Sequence, residues 1–238
     1  IEAHRLGRQD PTRVMVDCGL GLREAGKRLE ARGLCINDID AIFVTHEHGD
    51  HVGGVARLAR AADIPVFLTH GTRIAGANEF WSGVRTFEVD SHARLEFGDL
   101  VLNCFPVPHD AREPTQFTLS NGNHKLGILT DTGSSTPHIE KMLQQLDALI
   151  IEFNHDLNLL ESSEYTYSLK KRISSKLGHL DNQTAAEILG KIQFKQLKHL
   201  VAAHLSEKNN TEDLVKEAIV GKIGCERDWI KIATQSDE

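Results

Sequence analysis

Cysteine is scarce: only Cys18, Cys35, Cys104 and Cys225 occur in 238 residues, and none falls in a C-x-x-C pair. That scatter argues against a thiolate zinc site or a disulfide framework, and a reduced cytoplasmic protein is the simplest expectation. Long apolar runs are missing too, so no membrane-spanning helix is expected. The start carries no charged n-region followed by an apolar h-region, which gives no sign of a secretory leader. The chain opens on Ile1 instead of Met, as a processed product or a fragment does. Low-complexity linkers and solenoid repeats are also absent, so one domain over residues 1–238 is expected. The formal charge is −7, from 27 Lys and Arg against 34 Asp and Glu. At 40% hydrophobic and 26% charged, the composition suits a globular protein and argues against intrinsic disorder.

Strand and helix patterns alternate along the chain. Residues 13–19 read as a strand running into a tight turn, and 22–32 as a helix stopped at Gly33. The short apolar run 41–45 reads as a strand buried on both faces. A His- and Gly-rich loop over 46–54, a helix over 52–62 and a strand over 65–69 follow. Two strands are expected in 86–107 around Gly98-Asp99, and a hairpin around Asn121-Gly122-Asn123. Pro137 marks a helix start, 149–151 a buried strand and 161–167 a polar loop. Asp181 is a plausible N-cap for a helix over 182–192. A strand over 197–203, a helix over 211–220 and a strand over 229–233 complete the series. Sheets with one apolar face each need cover, so two sheet layers with helices outside are expected.

Histidine is abundant, with 13 in the chain. Three lie in Thr45-His46-Glu47-His48-Gly49-Asp50-His51, directly after a buried strand. Imidazoles and carboxylates are ligands for zinc and similar divalent ions, and four ionisable groups beside a buried strand need a compensating partner. Ligands at i and i+2 point the same way in extended chain, and Gly49 lets the loop fold back. Glu47 is expected to point away.

The H-x-H-x-D-H run resembles the metallo-β-lactamase superfamily, and further landmarks follow in order: Asp17 in V-D-C-G, His109 in P-V-P-H-D, Asp131 in L-T-D-T-G and His204 in V-A-A-H-L-S. The resemblance runs from about Val14 to the C-terminus. It implies an α/β fold (α+β by some schemes), an αββα four-layer sandwich. It also implies two divalent metal ions, Zn²⁺ or Mn²⁺. His46, His48 and His109 would hold one ion, Asp50, His51 and His204 the other, and Asp131 would bridge them. A metal-bridging hydroxide would be the nucleophile. Asp17 would orient a ligand or its loop, or simply form the turn before Gly19.

Within the superfamily, a His at 204 and a bridging Asp131 resemble the phosphodiesterase branches, including the tRNA 3′-processing nucleases and cyclic phosphodiesterases. The YycJ/WalJ-like group is nearer still, through Glu152-Phe153-Asn154-His155-Asp156, Lys171-Arg172-Ile173, Gly178-His179-Leu180-Asp181-Asn182 and His204-Leu205-Ser206-Glu207-Lys208-Asn209-Asn210-Thr211. It implies a nuclease, with DNA before RNA as substrate. Asp50 and Asp131 would belong to the catalytic set, and His179 would protonate the leaving oxygen. His155 would support the metal site or the substrate, and Arg172 and Asn182 would hold a phosphate. His4, His70, His92, His124, His138 and His199 are not expected to be ligands. Residues 169–199 hold seven Lys or Arg against two acids, a local basic edge that suits phosphate contacts. Relatives of this type open with a strand and a Gly/Ser-rich loop that have no counterpart here, and Ile1-Glu2-Ala3-His4 reads as the end of that opening hairpin's second strand. Two other functions stay open: a small-molecule hydrolase (a cyclic phosphodiester, thioester or lactone), or a metal-binding regulatory protein with vestigial activity. Oligomeric state is not legible.

Overall fold

Burial follows the hydrophobic pattern closely where the apolar runs are densest: Ala41, Ile42, Phe43 and Val44 have no exposed surface. The computed structural model describes residues 1–4, 11–77 and 79–234. Its internal contacts define two compact units. Among the described residues, the first comprises those up to 106 and 111–115, and the second comprises 107–110 and 116–234.

The first unit contains strands β1 (Glu2–Ala3) and β2 (Thr12–Val16), helix α1 (Leu22–Glu30), strand β3 (Ala41–Phe43), and helices α2 (Gly49–Val52) and α3 (Val55–Ala62). Strand β4 (Val66–Leu68), helix α4 (His70–Ala75) and strand β5 (Thr86–Glu88) follow, then the hairpin β6 (Arg94–Phe97) and β7 (Leu100–Pro106). Strands β1 to β5 form one sheet in sequence order. The β1–β2 pair is antiparallel, with Glu2 opposite Arg13, and the rest are parallel. The segment expected to end an opening hairpin thus pairs on the edge of β2. Phe43, Phe67 and Phe87 lie in register on three successive strands, with ring centroids 4.8 and 5.1 Å apart in stacked pairs. Cross-strand aromatic pairs of this kind add to burial in fixing register. Ile42, Val44, Val55, Leu58, Val66 and Leu68 form the core, where α3 packs its apolar face.

In the second unit the hairpin β8 (Thr115–Ser120) and β9 (Lys125–Leu129) comes first, then helix α5 (Pro137–Met142) and strand β10 (Ala148–Glu152). Helices α6 (Leu157–Ser162), α7 (Tyr167–Ile173) and α8 (Asn182–Lys191), strand β11 (His199–Ala203), helix α9 (Glu212–Ile223) and strand β12 (Ile230–Ile232) complete it. The order is β12-β11-β10-β9-β8, parallel except for the β8–β9 pair. Thr136, Asp156, Thr166, Asp181 and Thr211 cap the helices that follow them by accepting backbone N–H bonds. No helix among the described residues is long and apolar enough to cross a membrane. All four cysteines are free, and burial pushes the Cys104 thiol up to about 12.

Several local expectations differ from the structure. The loop over 46–54 contains the short helix α2, and the helix expected from Val52 starts at Val55. Three strands lie in 86–107, because β5 leaves the hairpin to join the parallel sheet. The polar stretch 161–167 ends one helix and begins another, which the low apolar content concealed.

The turn after β2 clasps α2. A methyl added at Gly19 would lie 1.9 Å from the Asp50 carbonyl oxygen, and one at Gly54 1.8 Å from that of Leu20. Both obstacles are backbone and cannot rotate aside. Gly19→Ala is expected to lower unfolding free energy by about 1–3 kcal/mol, the usual cost of forced overpacking. Urea denaturation reads this directly, and an unchanged midpoint would mean that the clasp relaxes freely.

Candidate metal centre

In the first unit Asp17 organises the histidine run. It follows β2 with φ +58°, a conformation that costs a non-glycine residue energy and persists where the surroundings over-determine it. Its Oδ1 accepts from the Thr45 amide at 2.8 Å. Its Oδ2 accepts from the Thr45 hydroxyl at 2.7 Å and from His51 Nδ1 at 2.9 Å. The Thr45 hydroxyl donates its hydrogen bond to Asp17 and therefore accepts from His46 Nδ1 at 2.9 Å. The His46 ring centroid lies 4.6 Å from that of His48 and 4.2 Å from that of His51. His46 and His51 are buried, whereas the Asp50 side chain is 69% exposed, with Oδ2 3.5 Å from His51 Nε2. Glu47 turns away from this cluster, and its Oε1 accepts from the Arg112 amide at 2.8 Å.

In the second unit Asp131 and His204 also adopt positive φ, +52° and +58°, just past β9 and β11. Glu152, the last residue of β10, is fully buried, as Asp131 nearly is, whereas His204 is half-buried. Its Oε1 accepts from both His179 Nδ1 and His204 Nδ1 at 2.8 Å, and its Oε2 accepts from the amides of Thr132 and Leu180 at 3.3 Å. Burial alone would raise the Glu152 carboxyl, but the hydrogen bonds from His179 and His204 hold it below the usual carboxylate range. His179 shows the complement. Burial pulls its imidazole down, while the hydrogen bond and charge of Glu152, with Asp131, leave it net raised. Ligand atoms of Asp131, Glu152, His179 and His204 all lie within 4.8 Å of one another. His109 is buried nearby in the same unit, where its Nδ1 meets the Gly178 carbonyl at 3.0 Å and its Nε2 lies 4.0 Å from Asp131.

The remaining expected residues sit around this group. Arg172 is exposed and donates to Asp110 Oδ2 at 2.6 Å. Asn182 lies in a buried reciprocal amide pair with Asn210, both bonds at 2.8 Å. His155 is buried, with Nδ1 against Asn154 Oδ1 at 3.3 Å, and desolvation lowers its pKa. Asn154 in turn donates to the His204 carbonyl at 3.1 Å. Away from the site, His4 and His70 are exposed beside Glu2 and Glu88.

Glu152 was not assigned a role by sequence reading, although one signal is there: a carboxylate closing the apolar run Ala148-Leu149-Ile150-Ile151 needs partners.

The donor chemistry fits divalent metal. His46 and His51, and in the second unit His109 and His204, each direct Nδ1 at an oxygen acceptor. Such a bond fixes the tautomer with the proton on Nδ1 and leaves a lone pair on Nε2. That is the arrangement by which proteins orient metal-ligating histidines. A carboxylate or backbone carbonyl closes each arrangement.

Comparison with known proteins agrees in family. The family described as Beta-lactamase superfamily domain matches residues 12–204. Exodeoxyribonuclease YycJ of Bacillus anthracis is 34% identical over 213 residues, 88% of this chain and 80% of that protein. Exodeoxyribonuclease WalJ of Streptococcus pneumoniae is 33% identical, covering 89% of this chain and 80% of that one. Among solved structures, the metallo-β-lactamase fold protein YhfI of Bacillus subtilis superposes with a TM-score of 0.69 at 16% identity, over 93% of this chain and 84% of its own.

Proposed function

The chain belongs to the β-lactamase superfamily and is a metal-dependent hydrolase of it, and from that premise we propose that it hydrolyses phosphodiester bonds in nucleic acid, DNA before RNA, with two divalent ions. The observation that carries the reading is the set of Nδ1 anchors, which leaves Nε2 of His46, His51, His109 and His204 with a lone pair. The reading assigns His46, His48 and His109 to one ion, Asp50, His51 and His204 to the other, and Asp131 to both. Zn²⁺ and Mn²⁺ both accept such a donor set. When bound, the ions supply Lewis acidity, lowering the pKa of water toward neutrality and neutralising charge on phosphate oxygens.

The chain's own groups do the rest. Asp17 and Thr45 keep His46 and His51 in one tautomer and one orientation. Glu152 does the same for His204, and by accepting from His179 Nδ1 it favours the imidazolium form of that ring, which carries a second proton on Nε2. His179 is 24% exposed at its side chain and holds the proton that its Nε2 delivers to the leaving oxygen. The substrate class comes from the two exodeoxyribonuclease relatives, which share a third of their residues with this chain over most of their length.

The test is a panel of end-labelled single- and double-stranded DNA and RNA beside bis-p-nitrophenyl phosphate, with Zn²⁺ or Mn²⁺. Cleavage of polymer that His48→Ala abolishes is the expected result. Hydrolysis of only the small diester would move the substrate to a small cyclic or linear phosphodiester. Asp131→Ala should lose activity and bind fewer ions per chain by elemental analysis, and full occupancy would remove Asp131 from the ligand set.

A further inference from the structure

The chain contains only two tyrosines, Tyr165 and Tyr167, and they lie two residues apart. They are used differently. The Tyr165 ring carries the Lys208 ammonium 5.7 Å from its centroid. Tyr167, the first residue of α7, is 81% exposed, an unusual state for a large aromatic ring. Beside it, α6 and α7 enclose a cleft of about 240 Å³, lined by Leu157, Leu160, Tyr167, Lys170 and Lys171 along with Glu161 and Ser174.

Charge decides what such a ring faces. From Tyr165 to Gly178 the sequence holds Lys170, Lys171, Arg172 and Lys176 and no carboxylate, in a chain of net charge −7. Lys170 donates to the Glu161 carbonyl and Arg172 to Asp110, while no ion pair among the described residues uses Lys171 or Lys176. An apolar protein partner would leave these ammonium groups desolvated, at a cost. A base on the ring with its phosphate at the lysines satisfies both. An open aromatic ring flanked by cations is how proteins hold single strands.

The platform is also tied to the candidate acid. The His179 amide donates to the Ile173 carbonyl, the end of α7, at 2.9 Å. A methyl added at Gly178 would lie 2.1 Å from that same carbonyl oxygen, so the joint is tight. The seven residues of α7 span roughly 10 Å at 1.5 Å per residue. That is about three nucleotides at a rise of about 3.4 Å.

We propose that Tyr167 is a base-stacking platform, with Lys171 as its phosphate contact, that seats a single-stranded nucleic acid end a few nucleotides from His179. The proposal rests on the nuclease reading and specifies the form of its substrate.

The test uses the metal-loaded full chain and a fluorescein-labelled oligothymidylate with phosphorothioate linkages, read by anisotropy. Tyr167→Ala should raise Kd about 5- to 160-fold, the usual range for losing one stacked base. Tyr167→Phe, which keeps the ring, should stay near wild type. Lys171→Glu should flatten the dependence of log Kd on log salt by roughly 0.7, one phosphate contact. Hydrolysis of bis-p-nitrophenyl phosphate by Tyr167→Ala should be unchanged, since the ring lies outside the candidate metal centre. Unchanged oligonucleotide binding by Tyr167→Ala would overturn the platform and return this surface to a protein partner. Equal weakening on a duplex of the same length would overturn the single-strand assignment. If wild type turns over no phosphodiester of any size, it is the nuclease reading that falls.

Discussion

Glu152→Gln is expected to cost about 10- to 100-fold in metal affinity, with activity falling in step at limiting metal, although the substitution changes only one atom. The carboxylate has acceptors on both sides: Oε1 faces two imidazole N–H groups and Oε2 faces two backbone amides. A glutamine supplies an acceptor to one side only. If its NH₂ faces Thr132 and Leu180, buried donors oppose one another at about 1–3 kcal/mol. If it faces His179 and His204, both rings must move their proton to Nε2, and the lone pair of His204 is lost to the metal. Glu152→Ala removes the charge outright and leaves the imidazoles without an acceptor in a buried site. It should lower unfolding free energy by about 3–5 kcal/mol, as breaking a buried pair does. Calorimetric titration with the metal reads the first effect and urea denaturation the second. Wild-type metal affinity in Glu152→Gln would mean that something other than Glu152 orients the two rings.

The two kinds of site residue differ in how legible they were. His46, His48, Asp50 and His51 stand within six positions of one another, so their chemistry could be read from type and spacing. Asp131 and His204 were found by their order along the chain and the family pattern, because nothing local marks an Asp or His after a strand as a ligand. Glu152 needed the register of the parallel strands. Glu152 lies opposite Ala203, and Ile151 opposite Leu129, which brings the three strand ends to one edge with Asp131 and His204 just beyond. Register is a property of the folded sheet that spacing along the chain does not encode. Helix α7 escaped for another reason. Its Tyr167 and Leu169 are exposed, so it shows no apolar face, and it is held by the Thr166 cap and by its tight junction with Gly178. Asn182 illustrates a limit of residue chemistry: an amide suits a phosphate and another amide equally, and here its carbonyl and NH₂ pair with Asn210.

His179→Ala is expected to keep its metal and to lose about 10²- to 10⁴-fold in rate on nucleic acid, the usual contribution of a positioned acid. Glu152 retains its bond to His204 and its two amide partners in this variant, so the rest of the group should stay in place. The leaving group separates the acid role from a structural one. A sugar alkoxide is a poor leaving group and needs a proton as the P–O bond breaks. p-Nitrophenolate is stable as an anion and needs none. His179→Ala should therefore hydrolyse bis-p-nitrophenyl phosphate at a rate near wild type while DNA cleavage collapses. Equal losses on the two substrates would deny His179 the proton transfer, and loss of metal by elemental analysis would make it a ligand instead. The same contrast tests Glu152 from the other side. Its substitution disturbs His204 as well as His179, so both substrates should suffer together. A divergence between the two variants on the small diester thus assigns the proton to His179 Nε2 and the orientation of the metal-facing ring to Glu152.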